Sequence, residues 1–297
     1  MQLGSEGTRF PIKNIFLVTD GAPWDDIAIL YGIDLAKQHA ARLQVMHVVS
    51  SSLHNKILET DSYSDRRPEE KSFIRRKTVQ RVRFPIALLQ ILDLQRFDLV
   101  IASSTREGEM KGLGEAVERI LFSVDSPVLV IGPGISRNDV PRAKARTILY
   151  ATDFSRQSFH AAQHAFSWAQ QHQAWLTMLH VVEGIRQSSL YLPEALVEPF
   201  RRWMEELVPD EVELWSEVEN RIEFGEVSEG ILNTAEKVYA DLIVLGANAL
   251  SDVGESAVSS KTTQVLLRAE CPVLLVREEM RKRHSLRVAN KRQLVAA

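Results

Sequence analysis

The sequence predicts two repeated α/β domains, each built on a doubly wound sheet, and three observations carry that expectation. The chain has 297 residues, 45% of them apolar and 25% charged, which suits two domains of ordinary globular composition. Residues 15–49 lie over residues 148–182 without a gap at a constant offset of 133, and twelve of the 35 positions are identical. Unrelated sequences of average composition would share about two. Short apolar runs alternate throughout with stretches of helical periodicity, as strand–helix–strand units require.

In order along the second copy, the apolar runs are 148–151, 176–182, 222–224, 242–245 and 273–276. Rich in Val, Ile and Leu and bounded by turn residues, they suit parallel strands buried on both faces. Between the first two, Ala162, Ala165, Phe166 and Ala169 recur at helical spacing on one stripe. Between the second and third, Leu196, Phe200, Trp203, Met204 and Leu207 do the same. The likeness to the first copy resumes downstream: RVRF at 81–84 matches RIEF at 221–224, DLVI at 98–101 matches DLIV at 241–244, and SPVLVI at 126–131 matches CPVLLV at 271–276. The expected division is 1–138 and 139–297, with a charged, proline-bearing joint over 132–146. Right-handed crossovers then give an open sheet covered on both faces, whose ligands bind beyond the carboxyl ends of the strands.

Composition excludes several classes. No apolar run reaches the ~18–20 residues of a membrane span, and residues 1–13 lack the apolar centre of a signal peptide, which points to the cytoplasm. Cys271 is the single cysteine, so disulfide scaffolds and thiolate zinc clusters are excluded. Net charge is −3, with +5 on residues 277–297 and −8 on the remainder, so a nucleic-acid-binding body is not expected. The basic tail and the basic stretch 66–83, placed in the loop and helix between the second and third strands, lack interleaved aromatics and read as solvated.

Asp20 and Asp153 each follow an apolar strand and precede a helix, so both carboxylates should face the crevice. Each residue fits a helix cap, with Ser155 as a second capping candidate, and each equally fits a hydrogen-bond acceptor for a ribose or a base amine. ILYATDFS at 148–155, LHVV at 179–182, DLIVLG at 241–246 and CPVLLV at 271–276 resemble, in order and spacing, the successive strands of the universal stress protein family. The resemblance covers about 13–133 and 146–277. It implies an adenine-nucleotide-hydrolase-like fold, with five parallel strands per domain in the order 3-2-1-4-5. It also implies that 128–131 and 273–276 meet across an internal pseudo-two-fold axis.

Many members of the family bind ATP through a loop written G-x-x-G, nine residues, G-[S/T], in which glycines admit phosphates to backbone N–H groups and a helix N-terminus. In the second domain Gly246 matches the first glycine, Ala249 replaces the second, Ser259 replaces the third and Ser260 keeps the hydroxyl. Ala249 is tolerable at negative φ, whereas Ser259 is strained if the loop needs positive φ. The resemblance implies ATP or another adenine nucleotide in the second domain only, with Asp153 on the adenosine part, Val181 along the base, and Gly246, Ser259 and Ser260 facing the phosphates. In the first domain Ser103 and Arg106 stand at the first two glycine positions, and Glu115 takes the hydroxyl position after Gly114. A carboxylate there repels a triphosphate, although Ser103, Ser104, Thr105 and Arg106 could serve a small anion.

The remaining signals read as structural. His160 and His164 have the spacing of a helical metal pair but no third ligand, and are expected to be solvated. His47 and His180 recur at the end of the second strand and suggest a shared hydrogen bond; Cys271 suggests a buried, inert thiol. No catalytic motif and no evident base or lysine at the phosphate loop appears, so no enzyme is expected. The leading expectation is a stress-response protein that binds and regulates. The alternatives are a scaffold without nucleotide and a weak ATPase. The resemblance implies that the two halves form an internal pseudo-dimer, with pairing of two chains as a homodimer a further option.

Overall fold

A computed structural model of the chain describes residues 10–19, 25–49, 74–80, 84–103, 115–135, 143–184, 194–209, 217–247 and 261–277. In the first half the elements are β1 (Asn14–Thr19), α1 (Asp25–Gln38), β2 (Arg42–Val49), β3 (Ile74–Gln80), α2 (Phe84–Leu94), β4 (Leu99–Ser103), α3 (Glu115–Ser123) and β5 (Val128–Ile131). In the second they are β6 (Thr147–Ala151), α4 (Arg156–His172), β7 (Trp175–Val182), α5 (Glu194–Leu207), β8 (Val218–Phe224), α6 (Val227–Lys237), β9 (Leu242–Gly246), α7 (Lys261–Arg268) and β10 (Val273–Val276). The strands form a single sheet in the order β3-β2-β1-β4-β5-β10-β9-β6-β7-β8. Each half therefore repeats the order 3-2-1-4-5, and the expected meeting of the last strands is present as the antiparallel pair β5·β10.

Successive strand residues point to opposite faces, and both faces are closed. Ile15 and Leu17 join the apolar layer under α1, α4 and α5, while Phe16 and Val18 join the layer under α2, α3, α6 and α7. The expected stripe of α4 is realised, with Ala162, Ala165, Phe166 and Ala169 all buried. The repeated Asp at the foot of the fourth strand has a repeated task. Asp98 Oδ2 accepts the N–H groups of Lys13 and Asn14, both at 2.8 Å, and Asp241 Oδ2 accepts those of Arg146 at 2.7 Å and Thr147 at 3.1 Å. Each carboxylate thus fastens the chain where it enters the central strand. Asp241→Ala is expected to lower stability by about 1–2 kcal/mol, because two amides lose a charged acceptor at a partly exposed site; urea unfolding checks it, and an unchanged midpoint would refute it.

Three expectations need correction. The third strand of the first half is β3, and its register differs from the one that RVRF suggested: Thr78 stands opposite His47 as Ile222 stands opposite His180, so the repeat lies four positions earlier. Part of the basic stretch 66–83 is therefore the edge strand β3, where positive residues in sequence discourage pairing with other chains, and Phe84 opens α2 instead. Trp203, assigned to the buried stripe of α5, is 48% exposed; that helix buries Met204 and Leu207, and the indole packs edge-on against Phe200 and Phe154. His164 is not solvated. Phe10 stacks on it at 4.1 Å between ring centroids, and burial, with the nearby His160, lowers its pKa to about 4. The same N-terminal segment bonds α4, the Phe10 N–H donating to Ser167 Oγ at 3.0 Å, so a strand leader of the first half covers a helix of the second.

Candidate functional site at the strand ends of the second half

Strands β9, β6 and β7 are neighbours, and their carboxyl ends carry Gly246, the Thr152–Ser155 turn and Val181. This is the point where strand order reverses, and therefore the crevice such sheets offer to ligands. The turn is fixed by its own polar groups. Thr152 N–H donates to the Leu179 carbonyl at 2.8 Å, and Thr152 Oγ1 accepts from Phe154 N–H at 3.0 Å. Asp153 Oδ1 accepts from Ser155 N–H at 2.9 Å, and Ser155 caps α4 by accepting from Ser158 N–H at 3.2 Å. The Tyr150 hydroxyl donates to the Ser158 carbonyl at 2.6 Å. These bonds hold Phe154 at a φ of 58°, an unusual conformation for a residue with a side chain, and its ring rests on His180 at 4.6 Å.

Of the two readings of Asp153 and Ser155, the capping task belongs to Ser155, while Asp153 forms a turn and remains exposed. Burial raises the Asp153 pKa, but hydrogen bonds from Ser155 and Ser158 outweigh it and leave the carboxyl below its ordinary range. Its charge is therefore available at neutral pH. Gly246 is required by close approach: a Cβ there would stand 2.5 Å from Ser158 N and 2.6 Å from the Gln157 carbonyl carbon. The first turn of α4 is thereby pressed against the end of β9. Val181 is 9% exposed and lies under α6, where a Cβ on Gly230 would stand 2.8 Å from it. Ala249, Ser259 and Ser260 lie outside the described residues, as do Asp20, Ser104, Thr105, Arg106, Gly114 and the tail from 278.

Two residues escaped the sequence reading. Lys261 is the first residue of α7, and its Nζ lies 2.5 Å from Glu183 Oε2 at the end of β7. Lys261 follows the predicted loop directly in sequence, and its signal was its place directly after Ser260. Glu226 caps α6, accepting from the N–H groups of Ser228 at 3.1 Å and Glu229 at 2.7 Å. Burial raises its pKa, but these bonds and the Lys261 charge bring it below the ordinary range. Among the described residues, Lys261 thus pairs with Glu183 and its charge acts on Glu226. The Glu183–Lys261 pair is half exposed, so it is worth at most about 1 kcal/mol and yields readily to a stronger anion.

The repeated histidines share a structural bond, with a difference. His47 Nδ1 lies 2.8 Å from the Thr19 hydroxyl, whereas His180 Nδ1 donates to the Thr152 carbonyl at 2.8 Å. Cys271 is buried, and burial, with the charges of Asp241 and Glu270, pushes its pKa to about 12, as an inert thiol requires. In the first half, Ser103 ends β4 with its hydroxyl buried and without a partner among the described residues, and Glu115 opens α3. No three metal-ligating side chains gather among the described residues, and no helix there is long and apolar enough to cross a membrane.

The model of the universal stress protein family matches residues 144–277. A universal stress protein of Thermus aquaticus is 36% identical over 142 residues, which are 44% of this chain and 98% of that protein. Two solved structures share the fold over both halves: a universal stress protein of Archaeoglobus fulgidus, with a TM-score of 0.62 at 19% identity, covering 89% of this chain and 98% of its own, and a protein of unknown function from Pseudomonas aeruginosa, with a TM-score of 0.64 at 19% identity, covering 95% and 98%. With its second half matched by the family model and nearly the whole of a relative aligned at that identity, the chain belongs to the universal stress protein family.

Proposed function

We propose that this chain is a cytoplasmic stress-response regulator without catalytic activity, in which the domain 139–297 binds ATP or another adenine nucleotide and the domain 1–138 is its structural partner. The observation that carries the reading is the exposed, ionised Asp153 beside Gly246 at the reversal of strand order, with the first turn of α4 held against it. In this reading Asp153 accepts a ribose hydroxyl or the base amine, and Gly246, Ala249, Ser259 and Ser260 face the phosphates. Val181 supports the base from below. Lys261 exchanges Glu183 for a phosphate oxygen, and a magnesium ion on the nucleotide relieves repulsion from Glu183 and Glu226.

Isothermal titration with ATP and ADP, with and without magnesium, tests it. Binding is expected in the wild type, and Asp153→Ala is expected to weaken it about tenfold, the worth of one charged hydrogen bond. No heat and no rise in melting temperature at millimolar nucleotide would end the nucleotide reading. The scaffold reading draws on Ala249 and Ser259 at two glycine positions of the loop; stoichiometric ATP in the purified protein would overturn it. Weak hydrolysis would need phosphate release above that of the Asp153→Ala protein.

A further inference from the structure

Two histidines outside the crevice occupy equivalent places in the repeat and meet. His39 follows α1 and His172 ends α4, at the same offset of 133. Each is followed by a left-handed residue, Ala40 at a φ of 50° and Gln173 at 54°. Each helix then closes in the same way, Ala41 N–H donating to the Ala36 carbonyl at 2.8 Å and Ala174 N–H to the Ala169 carbonyl at 2.9 Å. Shared chain geometry thus delivers one imidazole from each half to the junction between them. Their ring centroids are 5.7 Å apart, and both rings touch the buried Trp168, His172 at 5.1 Å and His39 at 6.4 Å.

The hydrogen bonds fix the state of this pair. Ala145 N–H donates to His172 Nδ1 at 3.0 Å, so that nitrogen carries a lone pair and the ring is neutral with its proton on Nε2. The Nε2 atoms of His39 and His172 are both buried and without a partner among the described residues. A proton added to His172 would set Nδ1–H against the Ala145 N–H, two donors face to face, and would place a cation beside a second imidazole. Lys144, next to Ala145, opposes that cation further. The nearest acid on α1 is Asp34, and its Oδ2 already accepts Ala143 N–H at 3.2 Å. Tyr31 of α1 stays protonated because burial, with Cys271, Asp241 and Asp34 nearby, raises its pKa far above the physiological range. The segment entering β6 is therefore held by one residue from each half, Asp34 and His172.

We infer that the His39–His172 pair is an acid-sensitive catch between the two halves: neutral rings close the junction, and acidification frees the 143–146 segment and loosens α1 from α4. The sign follows from burial. Burial first, then His39 and Lys144, lowers the His172 pKa from an ordinary 6.5 to about 4, and burial lowers that of His39. Above about pH 6.5 each ring is neutral in the folded and unfolded chain alike. Below it the unfolded chain takes up a proton that the folded chain refuses, so stability falls as pH drops toward about 4.

Urea unfolding of the full chain between pH 7.5 and 4.5 tests the inference, with His172→Asn, which keeps an acceptor near Nδ1 but cannot protonate. The ratio of the wild-type folding constant to that of the variant is expected to fall about tenfold per pH unit below 6.5. His164, present in both proteins, cancels in that ratio. A ratio independent of pH would overturn the proposal. Should the variant fail to fold, imidazole nitrogen shifts of the wild type decide: His172 must remain the neutral Nε2–H form at pH 5, and a ring titrating near 6.5 sinks the idea. Hydrogen exchange at pH 5 must release the Ala145 amide before the amides of β10; release in the reverse order would remove the junction from the account.

Discussion

Gly246→Ala is expected to destabilise the protein by about 3 kcal/mol, the upper end of ordinary overpacking costs, and to abolish the nucleotide binding proposed for this half. The methyl has nowhere to go, since the atoms that would meet it, Ser158 N at 2.5 Å and the Gln157 carbonyl carbon at 2.6 Å, belong to the backbone of α4 and cannot rotate aside. Either the end of β9 withdraws or the first turn of α4 lifts. In the second case the Tyr150–Ser158 bond at 2.6 Å and the Ser155 cap are strained together, and the turn that presents Asp153 moves with them. The melting temperature should fall by roughly 6–12 °C, since each kcal/mol lowers it by about 2–4 °C in a protein of this size class. The comparison with Asp153→Ala separates the two roles, because that exposed substitution should weaken binding with little change in melting. Equal melting of Gly246→Ala and wild type would mean that the close approach is not maintained in solution.

The contrast between what the sequence disclosed and what it concealed follows the range of the interactions. The strands were legible because burial on both faces writes continuous apolar runs, and the duplication was legible because equivalent tasks retain equivalent residues: Asp98 and Asp241 fasten the same strand entry, and His47 and His180 bond the equivalent threonine. The places of Asp153 and Gly246 after their strands were legible for a similar reason, being fixed by strand end and spacing. What failed depended on partners distant in sequence. Helical periodicity placed His164 on a polar face and could not show that Phe10, more than 150 residues earlier, would cover it. Residue likeness aligned RVRF with RIEF, although pairing with β2 puts the third strand four positions earlier, because an edge strand carries little apolar signal. His39 and His172 were in plain view as a repeated identity, but only the antiparallel joining of the halves turns a repeat into a contact.

Leu274→Ala is expected to cost about 2–5 kcal/mol, as fully buried leucines do when the cavity cannot collapse. Leu274 is wholly buried and stands opposite Leu129, itself wholly buried, and these two are equivalent residues of the repeat. On either side Val130 faces Val273 and Val128 faces Leu275, the reciprocal pattern of an interface crossed by a two-fold axis. The pseudo-symmetry axis therefore passes through the Leu129–Leu274 pair, and a cavity there is lined from both halves at once. Collapse is resisted because β5 is also held from behind, where the glycines after it approach α7 closely: a Cβ on Gly132 or Gly134 would stand 2.4 Å from the Leu266 or Ala269 carbonyl oxygen. Leu129→Ala should cost a similar amount, and the double variant less than the sum, since the two side chains share one cavity. Urea unfolding of the three variants measures this; strict additivity would place the two leucines in separate cores and dissolve the case for a shared axis. The halves are covalently joined, so losing this contact does not separate them by dilution. It converts two edges that cover one another into two exposed strand edges, and aggregation at high protein concentration should accompany the loss of stability.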